Sequence, residues 1–160
     1  SAANYLDDAK IYLSNGKNKA AIIQLKNYLR ESPDSINGRY LLGMTYIKTG
    51  NVLLAEKELN KANQLDPTDE QIQLNYSRVL LSLQKYPHVI SILKNKYTTP
   101  ETENLRLELL AYAHLALNQV AQAQSLFQLA ISEGYNRANT GLAQIAFNKK
   151  NYTKARALLN

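Results

Sequence analysis

Leu42-Gly43-Met44-Thr45-Tyr46, followed by Gly50, Ala55 and Leu59, decides the fold, because the same chemistry returns along the chain at a fixed interval. Gly16, Gly50, Gln84 and Asn118 stand 34 residues apart. Seven residues before each landmark comes a small side chain: Ala9, Gly43, Ser77, Ala111 and, in a last copy two residues early, Ala143. Five residues after it come Ala21, Ala55, Val89, Ala123 and Ala155, and nine after it Leu25, Leu59, Leu93, Phe127 and Leu159. A repeat of this length is one helical hairpin, with small residues where two antiparallel helices cross closely and large ones in the seam between them.

Pro33 and Pro67 fall seventeen residues after Gly16 and Gly50, where a proline ends the second helix and opens the turn to the next hairpin. Together, these small, aromatic, glycine, alanine and proline positions resemble the tetratricopeptide repeat across essentially the whole chain. The resemblance implies an all-α, right-handed solenoid of antiparallel hairpins, about four and a half to five repeats in a single domain over 1–160. The copies run 2–35, 36–69, 70–103, 104–135 and 136–160. The fifth stops inside its second helix, as expected of a piece of a longer protein.

Two joints depart from the pattern. The third copy has Lys96 where Ala62 and Ala130 sit and a displaced Pro100; the fourth closes with Ser132-Glu133-Gly134-Tyr135, Gly134 being suited to a left-handed helix cap. Pro87 falls at the start of a helix, where its missing N–H costs nothing.

Composition fits such an array. The chain is 45% hydrophobic and lacks tryptophan and cysteine, so it has a core of ordinary size and neither disulfides nor thiolate metal sites. No run approaches the roughly 18 apolar residues that would suggest a membrane span. The net charge of +6 is uneven: residues 81–160 carry nine Lys or Arg against four acids. After Glu133 come Arg137, Lys149, Lys150, Lys154 and Arg156 and no acid. This is either a footprint for nucleic acid or, the favoured reading, a solvated helix face. Nucleic acid is not an expected partner.

Catalytic chemistry has little to work with. His114 occupies the register of Tyr12 and Tyr46, so a ring packed between helices is expected, and His88 follows Pro87 in an exposed first turn. Asp7-Asp8 and Asp69-Glu70 complement helix dipoles near helix starts better than they would bind metal. No glycine-rich phosphate loop is present. No enzyme, cofactor or metal is expected.

A binding surface is the expectation instead. Stacked hairpins form a superhelix whose first helices line a concave wall. Helical spacing places Lys10, Tyr40, Met44, Ile47, Lys48, Leu74, Arg78, Leu81, Tyr112, Leu115, Gln144 and Phe147 on that wall. Aromatic and aliphatic anchors beside Lys10 and Arg78 suit an acidic or apolar protein segment. The two-carboxylate clamp found in chaperone-binding members of the family is absent, since its register is occupied by Leu6, Lys10, Leu41, Gln71 and Asn75.

The wording of the first copies carries a closer resemblance. Ala20-Ala21-Ile22-Ile23-Gln24-Leu25-Lys26-Asn27, then Leu42-Gly43-Met44-Thr45-Tyr46 with Gly50 and Ala55-Glu56-Lys57-Glu58-Leu59, look like the tetratricopeptide lipoproteins of bacterial exosortase (PEP-CTERM) and exopolysaccharide clusters. That resemblance covers about the first 95 residues. It implies a scaffold in the bacterial periplasm or attached to the envelope, assisting polysaccharide or protein export; the family's lipid-bearing cysteine is not in this chain. Alternatives are a structural or self-assembling segment, or the regulatory arm of an enzyme or glycan machine.

Overall fold

A computed structural model describes residues 1–160 as ten α-helices and one 3₁₀ turn, with no strand. The chain divides into two compact units, Ser1–Val79 and Leu80–Asn160.

The first unit holds α1 (Ala2–Ser14), α2 (Asn18–Glu31), α3 (Ile36–Lys48), α4 (Val52–Leu65) and most of α5 (Glu70–Ser82). Each hairpin reverses on its landmark. Gly16 has φ +70° and Gly50 φ +77°, the left-handed region that a side chain disfavours. The turn also satisfies carbonyls that the helix end would leave bare. Lys17 N–H reaches Tyr12 O at 2.8 Å and Asn51 N–H reaches Tyr46 O at 2.8 Å, the long closing bond of a Schellman cap.

The small positions permit close crossing, as their spacing predicts. Ala9, Ala21, Leu25, Ala55 and Leu59 are fully buried. A Cβ built on Gly43 would lie 2.8 Å from Leu59 Cγ, and one on Gly38 would lie 2.7 Å from the Tyr28 ring. One contact closes a hairpin, and the other packs the second helix of one repeat on the first helix of the next. Each buried leucine in these seams contributes roughly 1.5–3 kcal/mol. Helix starts are specified locally. Ser35 Oγ accepts from Gly38 N–H at 3.0 Å and Asp69 Oδ1 from Ile72 N–H at 2.9 Å, satisfying donors that a first turn leaves orphaned.

The second unit holds α6 (Tyr86–Ile92), α7 (Pro100–Ala116), α8 (Val120–Ser132), the 3₁₀ turn Asn136–Ala138, α9 (Asn139–Asn148) and α10 (Tyr152–Leu159). Its landmarks are left-handed without being glycine: Gln84, Asn118 and Lys150 have φ of 59°, 60° and 61°. The same cap bonds hold them, with Gln119 N–H to His114 O at 2.9 Å and Asn151 N–H to Ala146 O at 2.9 Å. Leu107, Ala111, Ala123, Phe127, Ala130, Ala138 and Ile145 form one apolar cluster, and a Cβ on Gly141 would overlap the Phe127 ring. Leu159, by contrast with its counterparts, is 64% exposed at the end of α10.

The third joint corrects the expected boundary at Asn104. Helix α6 stops after seven residues at Ile92, and α7 starts at Pro100. Thr99 caps it, accepting from Thr102 N–H at 3.2 Å, and the proline takes the first helical position, where no N–H is needed. The irregular chain between α6 and α7 is held by a buried ion pair. Arg106 Nε and Nη2 each lie 2.7 Å from a Glu103 oxygen; Arg106 Nη1 donates to Leu93 O; Glu103 Oε2 accepts from Tyr97 N–H at 2.8 Å. Burial pushes the Glu103 carboxyl up, but Arg106 and the Tyr97 N–H more than offset this and hold it below the usual carboxylate range.

Candidate partner-binding face

In the first unit, α3 and α5 present most of the residues chosen from helical spacing. Tyr40 and Met44 are half-buried on α3; Ile47 and Lys48 are exposed at its end. Arg78 is exposed on α5 and Lys10 on α1. Leu74 is a correction: at 1% exposure it belongs to the core, because a helical stripe includes the seam between neighbouring helices as well as the open face beside it.

Asn75, not among the wall residues read from the sequence, ties two of them together. Its Nδ2 donates to Tyr40 Oη at 2.8 Å and to Gln71 O at 3.0 Å, while its Oδ1 accepts from Arg78 Nη1 at 3.2 Å. Both ends of the carboxamide are therefore committed and the flip is decided. Because Tyr40 accepts from Asn75, its own O–H remains available to donate outward, as do the other Arg78 N–H groups. Burial raises the Tyr40 pKa most, the Asn75 bond opposes that, the Asp69 charge adds to it and the Arg78 charge opposes it; the hydroxyl stays protonated at neutral pH. Beside it lies a shallow cleft of about 290 Å³ between Ile36, Asn37, Asp69 and Gln71. The signal that could have found Asn75 was its three-residue spacing from Arg78 on one helix face.

In the second unit the remaining candidates lie on separate patches. Leu81 is half-buried on α5. Tyr112 and Leu115 on α7 are half-buried against the apolar cluster, with the Tyr112 ring edge-on to Phe127 at 5.2 Å. Beside Tyr112, Glu108 accepts from Tyr135 Oη at 2.9 Å and lies 3.4 Å from Arg137 Nε. Gln144 is exposed on α9, and Phe147, 59% exposed, meets Tyr152 edge-on at 5.4 Å. His114 is half-buried at the end of α7, where Nδ1 lies 2.6 Å from Gln119 Oε1 across the turn; it is a turn residue more than a ring between helices. Lys149, Lys150, Lys154 and Arg156 are all exposed.

No group of three or more His, Cys, Asp or Glu side chains converges as for a metal ion. No helix is long and apolar enough to cross a membrane. What the first-unit face offers is a row of oriented donors beside aliphatic surface, suited to holding a segment that brings acceptors.

Two family models, both described as tetratricopeptide repeat, match residues 12–74 and 109–160. The type IV pilus assembly protein PilF of Pseudomonas aeruginosa is 24% identical over 149 residues, which make up 91% of this chain and 59% of that protein. The chain thus spans less than two thirds of the length of this curated relative. Among solved structures, MamA (41-end) from Desulfovibrio magneticus RS-1 superposes with a TM-score of 0.84 at 18% identity, covering 99% of this chain and 90% of that one. YrrB, described as a TPR protein with an unusual peptide-binding site, gives 0.80 at 16% identity over 99% and 83%. At these identities the structural likeness concerns the fold.

Proposed function

Since the chain belongs to the tetratricopeptide repeat family, we propose that it is a non-catalytic scaffold that holds a segment of a partner protein against the first helices of its repeats. The observation that carries this reading is the Tyr40–Asn75–Arg78 row. Three polar side chains from two helices are locked to one another, yet they leave donors facing outward, next to Met44 and the exposed Ile47. Such an arrangement selects a partner with carboxylates or carbonyls flanked by apolar side chains. A peptide-binding tetratricopeptide protein among the similar folds supports the class of partner.

The finer setting is a bacterial envelope export or assembly machine. It is supported by the wording of the first two repeats and by the likeness to a protein named for type IV pilus assembly. Self-association is a second reading, favoured by the exposed Phe147, Tyr152 and Leu159 at one end of the second unit. Light scattering across a concentration series separates the two.

The test is capture of partners from envelope extract on the wild-type chain, on Tyr40→Phe and on Arg78→Glu. Tyr40→Phe keeps the ring and removes the hydroxyl together with the bond it accepts from Asn75, whose Nδ2 keeps its bond to Gln71 O. Both variants are expected to lose captured protein while melting within a degree or two of wild type. Unchanged capture by both would overturn the reading, as would a large fall in melting temperature showing that these residues serve the core.

A further inference from the structure

The third joint leaves a feature that the first-helix face does not use. Repeats one, two and four have second helices of 14, 14 and 13 residues, whereas α6 has 7. The chain that would have continued α6 instead borders a cleft of about 330 Å³, at the lower end of the range of roughly 300–1,000 Å³ for ligand pockets. Lys96, the residue standing where Ala62 and Ala130 sit, lies at this cleft with Thr99, Asn104, Leu107, Leu129 and Glu133. Tyr112 and Leu115 of the first-helix face do not line it.

Asn104 is the informative member. It is 9% exposed, lines the cleft, and its carboxamide makes no hydrogen bond within the protein, its polar atoms opening instead on solvent. A carboxamide held in a mostly buried side chain, unengaged within the protein and open at the cleft, is free to pair with a ligand there. The neighbouring polar groups are already engaged: Arg106 is used by both Glu103 oxygens and Leu93 O, and Glu103 by Arg106 and the Tyr97 N–H. Asn104 alone faces the cleft with a donor and an acceptor side by side.

We propose that this cleft is a second binding site, and that its ligand is a short extended peptide segment. A carboxamide matches the N–H and C=O of one peptide unit, giving two parallel bonds. Leu107 and the half-exposed Leu129 supply apolar wall for a side chain. The exposed Lys96 and Glu133 put one charge of each sign beside it, which suits a neutral or zwitterionic chain. Phosphate ligands are disfavoured because Glu103 consumes the Arg106 charge. Sugars are disfavoured because the Tyr97 ring, which could stack on them, is 6% exposed and covered by the Arg106 guanidinium at 6.0 Å.

The experiment is NMR titration of the isotopically labelled full chain with N-acetyl-Ala-Leu-Ala-amide up to about 10 mM, with inorganic phosphate and glucose as parallel probes. Saturable shifts are expected at the Asn104 side-chain amide and the Leu129 methyls. Asn104→Leu should weaken peptide affinity at least about tenfold while melting close to wild type, since the amide makes no bond within the protein that the change would break. Leu129→Ser, at a site too exposed to threaten folding, should weaken it as well. The proposal falls if the peptide leaves the Asn104 signal unmoved, if Asn104→Leu binds as well as wild type, or if phosphate or glucose moves these signals in preference. Shifts at Tyr40 and Arg78 report the first-helix face separately, so failure of either reading is visible without the other.

Discussion

Helix α4 of the first unit and helix α6 of the second occupy the same register, yet one runs 14 residues and the other 7. In α4 the seam positions Ala55, Leu59 and Ala62 are apolar and the buried Glu58 is paired at 2.8 Å with Arg39 of α3, so the helix satisfies its own backbone and seals its seam to the end. In α6 the register offers Val89 and Leu93, both buried, and then Lys96, whose ammonium must stay in water. The helix ends before that position, and Glu103 and Arg106 take over backbone groups that helical bonds would have served. One charged residue at a seam position thus turns a self-sufficient helix into a segment dependent on a side-chain network.

The sharpest way to break this contrast is Arg106→Met. It leaves Glu103 buried beside an unserved Leu93 carbonyl, and should cost about 3–5 kcal/mol by urea unfolding at neutral pH. In the wild type, the depressed Glu103 pKa contributes stability that is present above the ordinary glutamate value of about 4.3 and is lost as pH falls through the lower folded value. In the variant, burial acts on the carboxyl without its guanidinium and raises its pKa, so the deficit should narrow as pH falls toward 4. A deficit that widens would show that the pair is not what holds the joint.

Next in size is Ala55→Leu, which should overpack the α3–α4 crossing and destabilise by roughly 1–3 kcal/mol in the same measurement. Ser35→Ala and Thr99→Ala compare the two helix starts; each should cost about 1 kcal/mol, and hydrogen exchange should place the losses in the first turns of α3 and α7 respectively. The smallest effects exchange the landmarks. Gln84→Gly relieves a left-handed side chain and should raise stability by up to about 1 kcal/mol, whereas Gly50→Gln should lower it by a similar amount.

Most of the fold was legible because hairpin geometry is written in single residues. The 34-residue register located the left-handed landmarks Gly16, Gly50, Gln84 and Asn118, whereas Lys150, in the copy that runs two residues early, was not named among them from the sequence, since nothing about lysine announces a positive φ. Pro33, Pro67 and Pro87 were placed correctly at helix ends and starts, since proline's ring and missing N–H act locally. The early end of α6 was not legible from propensity, although Thr99-Pro100-Glu101 carried a start signal for α7 four residues before the assumed boundary. The face was harder to read. Leu74 and Tyr40 share one stripe, and only packing against a neighbouring helix buries the first and half-exposes the second. Asn75 offered only its spacing from Arg78, and Asn104 offered no signal, because a polar residue on a helix reveals neither its partners nor their lack.

The fifth hairpin begins two residues early, because the fourth copy, 104–135, is two residues short and loses them at its closing junction. Gly134, with φ +89°, closes α8 with the same pair of cap bonds as the other turns, and the 3₁₀ turn Asn136–Ala138 then leads into α9. Within the copy, Ala143, Lys150 and Ala155 keep the usual mutual spacing. Length errors are thus confined to the junction while each hairpin's interior stays intact. A junction of that kind is a natural splice point, where whole hairpins could be duplicated, deleted or exchanged by recombination without disturbing the seams on either side.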